Sequence, residues 1–269
     1  MKNSPALKAL DFAQFLQPDL PRERFERQIE RLAGEVRASY DSLVTGGAAP
    51  GAVSRVHALK YVLCERHGFA ESPDRAESPD YYLLPRLLDT GIGHPLALAI
   101  LTCACAREIG WAVDMVILPG GRGICRIEEE GERLFFDPAK VMKLLQAHDL
   151  RALLKEALGD RAELSLSYLE PVTDEQAVIA HQNLLKSRFI ALEEYDAALK
   201  LVEKMIEYAP DEYRLRLDAG VLCARLGRGP QALSYLEYYI DRAPSALDRA
   251  DARALMEQVR YDMRAQLND

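Results

Sequence analysis

The chain has 269 residues, which is enough for one or two globular domains. Hydrophobic residues make up 49% of the sequence and charged residues 28%, so an intrinsically disordered chain is excluded. The formal net charge of −8 excludes a generally basic protein that coats nucleic acid or anionic membranes. We therefore expect neither a nucleic-acid partner nor a membrane partner.

The cysteines predict a reducing compartment. There are five, an odd number, and they are scattered along the chain at positions 64, 103, 105, 125 and 223. No apolar run is long enough to span a membrane, and Asp11 stands where the apolar core of a signal peptide would be. We expect a cytoplasmic protein whose thiols are free.

The first 68 residues predict helices, because apolar residues recur at spacings of three and four. In the second helix the apolar stripe is formed by Phe25, Ile29, Leu32 and Val36. Residues 70–80 contain two Ser-Pro-Asp units and predict a surface loop, since the residue before a proline disfavours helix.

The middle of the chain predicts a mixture of helices and strands. A helix begins near Pro95 and is apolar almost all round, which is typical of a buried central helix. A strand follows at 112–118, and two more form a hairpin around Gly131. We expect helices again over 139–148 and 150–160, and one more strand over 163–172.

The tail after Thr173 repeats itself every 34 residues, which is the period of the tetratricopeptide helix–turn–helix. Ala198 matches Ala232 where two helices must approach closely, and Pro210 matches Pro244 where each second helix ends. The sequence predicts repeats over about 176–209 and 210–243, and a capping helix over 245–266.

Residues ~59–140 resemble the transglutaminase-like core of the bacterial SirB family. The matching stretches are LKYVLCERHGF, SPDYYLLPRLLDTGIGHPLALAILTCACAREIGWAV, VILPGG and LFFDP. That family also carries a tetratricopeptide tail. The resemblance implies an α+β fold: a papain/transglutaminase-like domain with a helical N-terminal part over 1–172, then an all-α tetratricopeptide domain over 173–269.

The chemistry of the transglutaminase and papain-like fold needs a cysteine at the start of the buried helix, a histidine base on the next strand and an acid on a following strand. In this chain the cysteine position holds Pro95. The SirB family also has no cysteine at this position, which lies in its Gly-Ile-Pro-Ile-Ser-Leu stretch. The base would follow Pro119-Gly120 in a Pro-Gly-His motif, and Gly121 stands there instead. Only the acid is retained, as Asp137. The resemblance therefore implies an inactive transglutaminase-like domain.

A relocated thiol site is the alternative. Cys125 lies four residues beyond Gly121, ~13 Å along a strand, and a site of Cys125, His94 and Asp137 would need a bulge to bring them together. The structural interpretations are that His94 caps or packs at the helix start and that Asp137 caps the turn after its strand. Cys103 and Cys105 are interpreted as buried apolar side chains.

The PGGRG turn and the histidines leave further alternatives. Three glycines around Arg122 form either a flexible turn or a regulatory loop that holds an acidic ligand with Arg122. No metal-ligand spacing occurs, since CxxC and HExxH are absent and the histidines are far apart. We expect no metal and no cofactor.

The repeat tail predicts a surface for a protein or peptide partner, with the alternative that the array only packs on the core. Residues predicted to face inward include Asn183, Ser187, Arg214, Val221 and Arg225. They do not form the carboxylate clamp of some tetratricopeptide proteins. The sequence thus favours a non-catalytic, protein-binding adaptor or regulator over a thiol-dependent acyl-transferase or amide hydrolase, and it leaves the oligomeric state open.

Overall fold

The computed structural model describes residues 4–129 and 131–266. The chain divides into two compact units, residues 1–185 and 186–269.

The N-terminal helices agree with the sequence pattern. They are α1 (Pro5–Leu16), α2 (Arg22–Thr45) and α3 (Ala52–Leu59), and α3 continues as a π-helix over Lys60–Arg66. The predicted stripe of α2 is buried, with Ile29, Leu32 and Val36 at 0% exposure. Its charged residues lie on the opposite face, so α2 covers the core with one apolar side.

The polar segment that follows α3 contains short 3₁₀ turns at Pro73–Arg75 and Pro79–Tyr82, and leads into α4 (Leu84–Thr90). Helix α5 (Pro95–Glu108) then begins with a proline. The first helical residue donates no intrahelical hydrogen bond, so proline, which lacks an N–H, loses none there. Every residue of α5 from Pro95 to Ala106 is buried, so the predicted central helix is confirmed.

Four antiparallel strands form a meander in chain order: β1 (Val113–Leu118), β2 (Arg122–Glu129), β3 (Glu132–Asp137) and β4 (Lys143–Leu145). Cys125 pairs with Met115 on one side and Phe136 on the other. Helix α5 packs on this sheet at Gly123, where a Cβ would lie 2.9 Å from Leu96 and Ala99. A side chain at position 123 would therefore separate helix and sheet.

The helix predicted over 139–148 is wrong. A 3₁₀ turn at Pro138–Lys140 is followed by Val141 and Met142 with φ of 54° and 53°, and the chain then forms β4. Two successive left-handed residues reverse the chain direction, and pairing of β4 with β3 then provides hydrogen-bond partners for the backbone N–H and C=O groups. The next helix, α6 (Ala147–Leu158), agrees with the pattern that predicted a helix over 150–160.

The strand predicted over 163–172 is also wrong. The segment forms a 3₁₀ turn at Leu166–Leu169, where the Ser165 hydroxyl accepts from the Ser167 N–H. Leu166 is 77% exposed, so the apolar alternation does not correspond to a buried face. One backbone bond, from Val172 N–H to the Met115 carbonyl, ties the segment to the edge strand β1.

Up to residue 266, the elements of the tail are all α-helices, as the repeat predicts. Its helices are α7 (Asp174–Ala191), α8 (Tyr195–Tyr208), α9 (Arg214–Arg225), α10 (Gly229–Arg242) and α11 (Ala246–Gln266). Ala198 and Ala232 are fully buried, and Pro210 and Pro244 follow α8 and α10. The compact units divide within α7, after Leu185, whereas the sequence placed the boundary at 172/173.

Across residues 4–129 and 131–266, none of the helices combines the length and the apolar character that crossing a membrane requires.

Candidate functional site

The start of α5 is the place where the resemblance would put a nucleophile. His94 is the N-cap residue, and its Nδ1 accepts a hydrogen bond of 3.1 Å from the Leu96 N–H. The imidazole stacks on the Tyr82 ring with centroids 5.2 Å apart, and meets the Tyr81 ring edge-on at 5.8 Å. His94 therefore has the local capping and packing interactions that one of the two sequence interpretations gave it.

The pKa of His94 is lowered to about 4, first by burial and then by the positive charge of Arg122, with Glu71 opposing. In a second buried histidine, His181, the Nδ1 accepts a hydrogen bond of 3.0 Å from the Gln182 Nε2. Burial and the neighbouring His94 lower the pKa of His181 to about 4, against a backbone hydrogen bond of Tyr82. Both imidazoles are neutral at physiological pH.

A side chain at position 121 would point toward Leu184 and not toward Asp137. Gly121 lies in the turn before β2 with a φ of 82°, and a Cβ there would lie 3.1 Å from the Leu184 side chain. The next residue, Arg122, reaches the acid instead: its Nε donates to the Asp137 Oδ2 at 2.8 Å. The side chain that faces Asp137 from the start of β2 is thus a guanidinium.

Asp137 is 0% exposed and carries two hydrogen bonds. Besides Arg122, it accepts from the Ala139 N–H at 2.9 Å and so caps the 3₁₀ turn that follows β3. The carboxylate is both a turn cap and the buried partner of a guanidinium.

Glu71 completes the charge balance around Arg122. The Arg122 Nη1 and Nη2 donate to Glu71 at 3.2 and 3.3 Å, and the Lys140 Nζ lies 2.5 Å from the same carboxylate. Burial would raise the pKa of Glu71, but the hydrogen bonds from Lys140 and Arg122 outweigh it and the pKa is lowered. Two carboxylates and two cations therefore form a closed network, which we call the Arg122 network: Glu71, Arg122, Asp137 and Lys140.

The sequence did not predict Glu71 or Lys140 as residues of this site. Glu71 lies in the polar segment interpreted as a surface loop, and Lys140 lies in the stretch wrongly predicted as helix. No sequence signal connects either residue with Arg122, because the contacts depend on how the segment before α4 folds back over the start of α5. Backbone bonds from His94 N–H to the Tyr81 carbonyl and from Gly93 N–H to Ala70 hold that segment there.

Cys125 lies inside the core. Its Sγ is 3.6 Å from the Cys103 Sγ and 3.9 Å from the Ala99 carbonyl, and both thiols are buried between α5 and β2. Burial, reinforced by the contact with Cys103, raises the pKa of Cys125 well above its ordinary value. The thiol is protonated at neutral pH, and the thiolate is the nucleophilic form.

The predicted binding residues of the repeat tail are distributed over α7 and α9. Within the second unit, Ser187, Arg214 and Arg225 are exposed and Val221 is 37% exposed. Lys186 on α7 forms an ion pair of 2.5 Å with Asp218 on α9, so a salt bridge connects the two helices that carry these residues. Asn183, also on α7, is half-buried and belongs to the first unit.

No group of three or more His, Cys, Asp or Glu side chains suited to holding a metal ion occurs in the part of the chain that the structure describes.

Comparison with known proteins gives two family matches. The model of the transglutaminase-like superfamily matches residues 23–181, and a tetratricopeptide repeat model matches residues 185–260. Tetratricopeptide repeats generally mediate protein–protein interactions.

Similar proteins come from several bacteria. Protein SirB1 of Salmonella typhimurium is 24% identical over 245 residues, which cover 90% of this chain and 88% of that protein. A UPF0162 protein of Xylella fastidiosa is 23% identical over 242 residues, 88% of this chain and 83% of its own length. The UPF0162 protein PA3419 of Pseudomonas aeruginosa is 29% identical over 184 residues, 68% and 64% of the two chains. No solved structure matches.

Proposed function

The chain belongs to the transglutaminase-like superfamily, and from this premise we propose that it is a non-catalytic member that acts as a protein-binding adaptor or regulator through its tetratricopeptide tail. The observation that carries the proposal is the ion pair between Arg122 and Asp137 at 2.8 Å. The acid that would orient a histidine base holds a guanidinium, and arginine does not lose its proton in proteins.

The electrostatics of the network support this proposal. Burial would lower the pKa of Arg122, but Asp137 and Glu71 outweigh it, and the pKa is raised. Arg122 therefore stays charged and cannot accept a proton from a thiol. Pro95 supplies no nucleophile at the start of α5, where the helix dipole would activate one.

A thiol-dependent acyl-transferase or amide hydrolase using Cys125, His94 and Asp137 remains the alternative prediction. It would need Cys125 as a thiolate, whereas burial raises the pKa of this thiol. The free cysteines and the net charge of −8 support a cytoplasmic protein that does not bind nucleic acid.

The two functions differ in the reactivity of Cys125. We expect iodoacetamide to label Cys125 near pH 7 more slowly than it labels a free cysteine thiol, and the purified protein to release no ammonia from glutamine-containing peptides in the presence of a primary amine. Turnover that Cys125→Ser or Asp137→Ala abolishes would overturn the proposal in favour of the enzyme.

The adaptor function is tested by peptide selection on the full chain. We expect peptides selected from a random library to bind the Val221→Asp variant at least ~10-fold more weakly than the parent. A peptide that covers position 221 would remove water from the charged aspartate there. Tyr261→Asp, a change at an exposed apolar residue of α11, is the matched control. Failure to select peptides, or equal binding to both variants, would contradict a partner site on α9.

A further inference from the structure

A groove of about 700 Å³ lies on the first unit, away from the Arg122 network. One wall is the C-terminal half of α2, and the other is the helix that α3 and its π-helical continuation form. Its volume is in the range of pockets that bind small organic molecules. The lining includes Glu35, Ala38, Ser42, Tyr61, Val62 and Arg66.

The middle of the groove is mostly apolar, and its lining side chains on α2 are small. Ala38 and Ser42 are examples, so the backbone of the helix is open to a ligand. The opposite wall carries Tyr61, whose side chain is 52% exposed although it is large and largely apolar. A ligand that lies along α2 would cover this ring and gain its apolar contact.

One end of the groove carries an excess of positive charge. The Glu35 carboxylate lies 2.7 Å from the His67 Nε2, 2.5 Å from the Arg31 Nη1 and 3.4 Å from the Arg66 Nη1. Burial would raise the pKa of Glu35, but His67 and the two guanidinium groups outweigh it and the pKa is lowered. One carboxylate is thus shared by two arginines. An additional carboxylate is the group that this end of the groove would attract.

The π-helix over Lys60–Arg66 is a second, independent observation. It supplies Tyr61, Val62 and Arg66 to the groove, and its wider turn is closed by a bond of 3.1 Å from the His67 N–H to the Val62 carbonyl. π-helical turns are rare and occur frequently at functional sites, because they shift side chains that an α-helix would place elsewhere.

We propose that this groove binds a linear amphiphile with one carboxylate, of the fatty-acid type, with its head group beside Arg66 and its tail along the small residues of α2. From Glu35 to Gly46 the helix extends ~16 Å, which accommodates a tail of about ten to twelve carbons. This site lies outside the Arg122 network and goes beyond the adaptor function.

The test is a calorimetric titration of the full chain with sodium decanoate, at concentrations that form no micelles. Decanol and decyltrimethylammonium share the tail but lack the carboxylate. We expect decanoate to bind at least ~10-fold more tightly than either. In the series octanoate, decanoate and dodecanoate we expect affinity to rise about fourfold per methylene, since each buried methylene contributes by its transfer from water.

Variants separate the head-group contact from the tail contact. Arg66→Ala is expected to weaken decanoate binding ~10-fold and to leave decanol unchanged. Ser42→Trp fills the groove at an exposed helical position and is expected to abolish binding of both. Arg27→Ala, on a side of α2 that does not line the groove, is the control and should bind decanoate as the parent does.

Non-saturating heats, or decanoate binding that neither Arg66→Ala nor Ser42→Trp changes, would overturn the proposal. Preference for decyltrimethylammonium would overturn the assignment of the charged end. A concentration-dependent dimer that Ser42→Trp abolishes, in a protein that does not bind decanoate, would instead identify the groove as a contact between two copies of the chain.

Discussion

Arg122 shows how one side chain joins two carboxylates that are distant in the sequence. It is the first residue of β2, its side chain is 19% exposed, and it joins the fully buried Asp137 to Glu71. The turn with Gly121 at a φ of 82° sets the direction in which the strand starts and so aims Arg122 at Asp137. The same carboxylate that could orient an imidazole here neutralises a guanidinium.

Replacing Arg122 should destabilise the first unit. Arg122→Met leaves Asp137 buried with only the Ala139 N–H as partner, and we expect a loss of about 3 kcal/mol in the free energy of unfolding. In Arg122→Met/Asp137→Asn the uncompensated charge is absent, so the double variant should be more stable than Arg122→Met alone. Urea unfolding measures both. If the double variant loses as much stability as Arg122→Met and Asp137→Asn lose together as single variants, the ion pair contributes no coupling energy.

The neutral histidines predict a pH dependence of stability. The pKa values of His94 and His181 are lowered to about 4 in the folded chain, whereas an unfolded histidine titrates near 6.5. Between these values the unfolded chain binds more protons than the folded chain, so stability rises with pH. The contribution is fully present above pH ~6.5 and is lost as pH falls toward about 4.

Asparagine at position 94 keeps a residue that caps helices but removes the titration. For His94→Asn we expect urea unfolding to show about half the parent's loss of stability between pH 6.5 and 4.5, because His181 still titrates, and a change of less than ~1 kcal/mol at pH 8. Glu71 contributes mainly below this window, since its pKa is lowered. A profile that superimposes on that of the parent would contradict the assignment to His94.

At the scale of elements, the close contact between α5 and β2 holds the core of the first unit together. Gly123 is the point of contact, since a Cβ there would lie 2.9 Å from the Cα of Leu96. Helix α5 is buried on nearly all sides, so it cannot move away from the sheet without disturbing the helices packed behind it.

Gly123→Ala should therefore cost about 1–3 kcal/mol in stability, through overpacking between a backbone and a buried helix. Gly34→Ala is the matched control: it lies inside α2, a Cβ there has no neighbour within 4 Å, and alanine should stabilise the helix by about 0.5–1 kcal/mol. Opposite signs in thermal or urea unfolding support the contact. Equal effects of the two variants would show that the sheet accommodates a methyl group.

The elements also show where pattern reasoning fails. Residues 139–148 have the composition of a helix, yet Val141 and Met142 adopt left-handed conformations and the next residues pair with β3. The choice between helix and strand there depends on the open edge of β3, which local periodicity does not encode. The apolar stripe of α2 needed no such partner information, because its spacing alone selects a helix.

At the scale of the whole molecule, helix α7 contributes to both compact units. The part of α7 before Lys186 supplies Ala177, 1% exposed, to the main core of the first unit, and Leu184, which contacts the turn at Gly121. The second unit begins at Lys186. A domain boundary placed before α7 therefore removes part of the first unit's core.

Two truncated chains test this statement. A chain of residues 1–192 keeps all of α7 and should unfold cooperatively, whereas a chain of residues 1–172 loses Ala177 and Leu184 and should melt at a temperature lower by several degrees. Circular dichroism during heating measures both midpoints. Equal midpoints would show that α7 adds nothing to the first unit, and would support the boundary at 172/173.

The sequence pattern by itself determined the central buried helix, the hairpin around Gly131 and the 34-residue repeat, whereas the α+β class followed from the resemblance to a known family. Each of the three elements is specified by local information: the period of apolar residues, a proline at a helix start, or a recurrence along the chain. It also determined that the start of α5 carries Pro95 and that Asp137 ends a strand.

Only the tertiary structure decided what Asp137 contacts. Glu71, Arg122 and Lys140 are far apart in the sequence and meet because the segment before α4 folds back over the start of α5. The meeting of Cys103 and Cys125 was decided in the same way, by the packing of α5 on β2. Charge pairs and buried contacts between distant segments leave no periodic trace in a sequence, because they depend on the distances that folding creates.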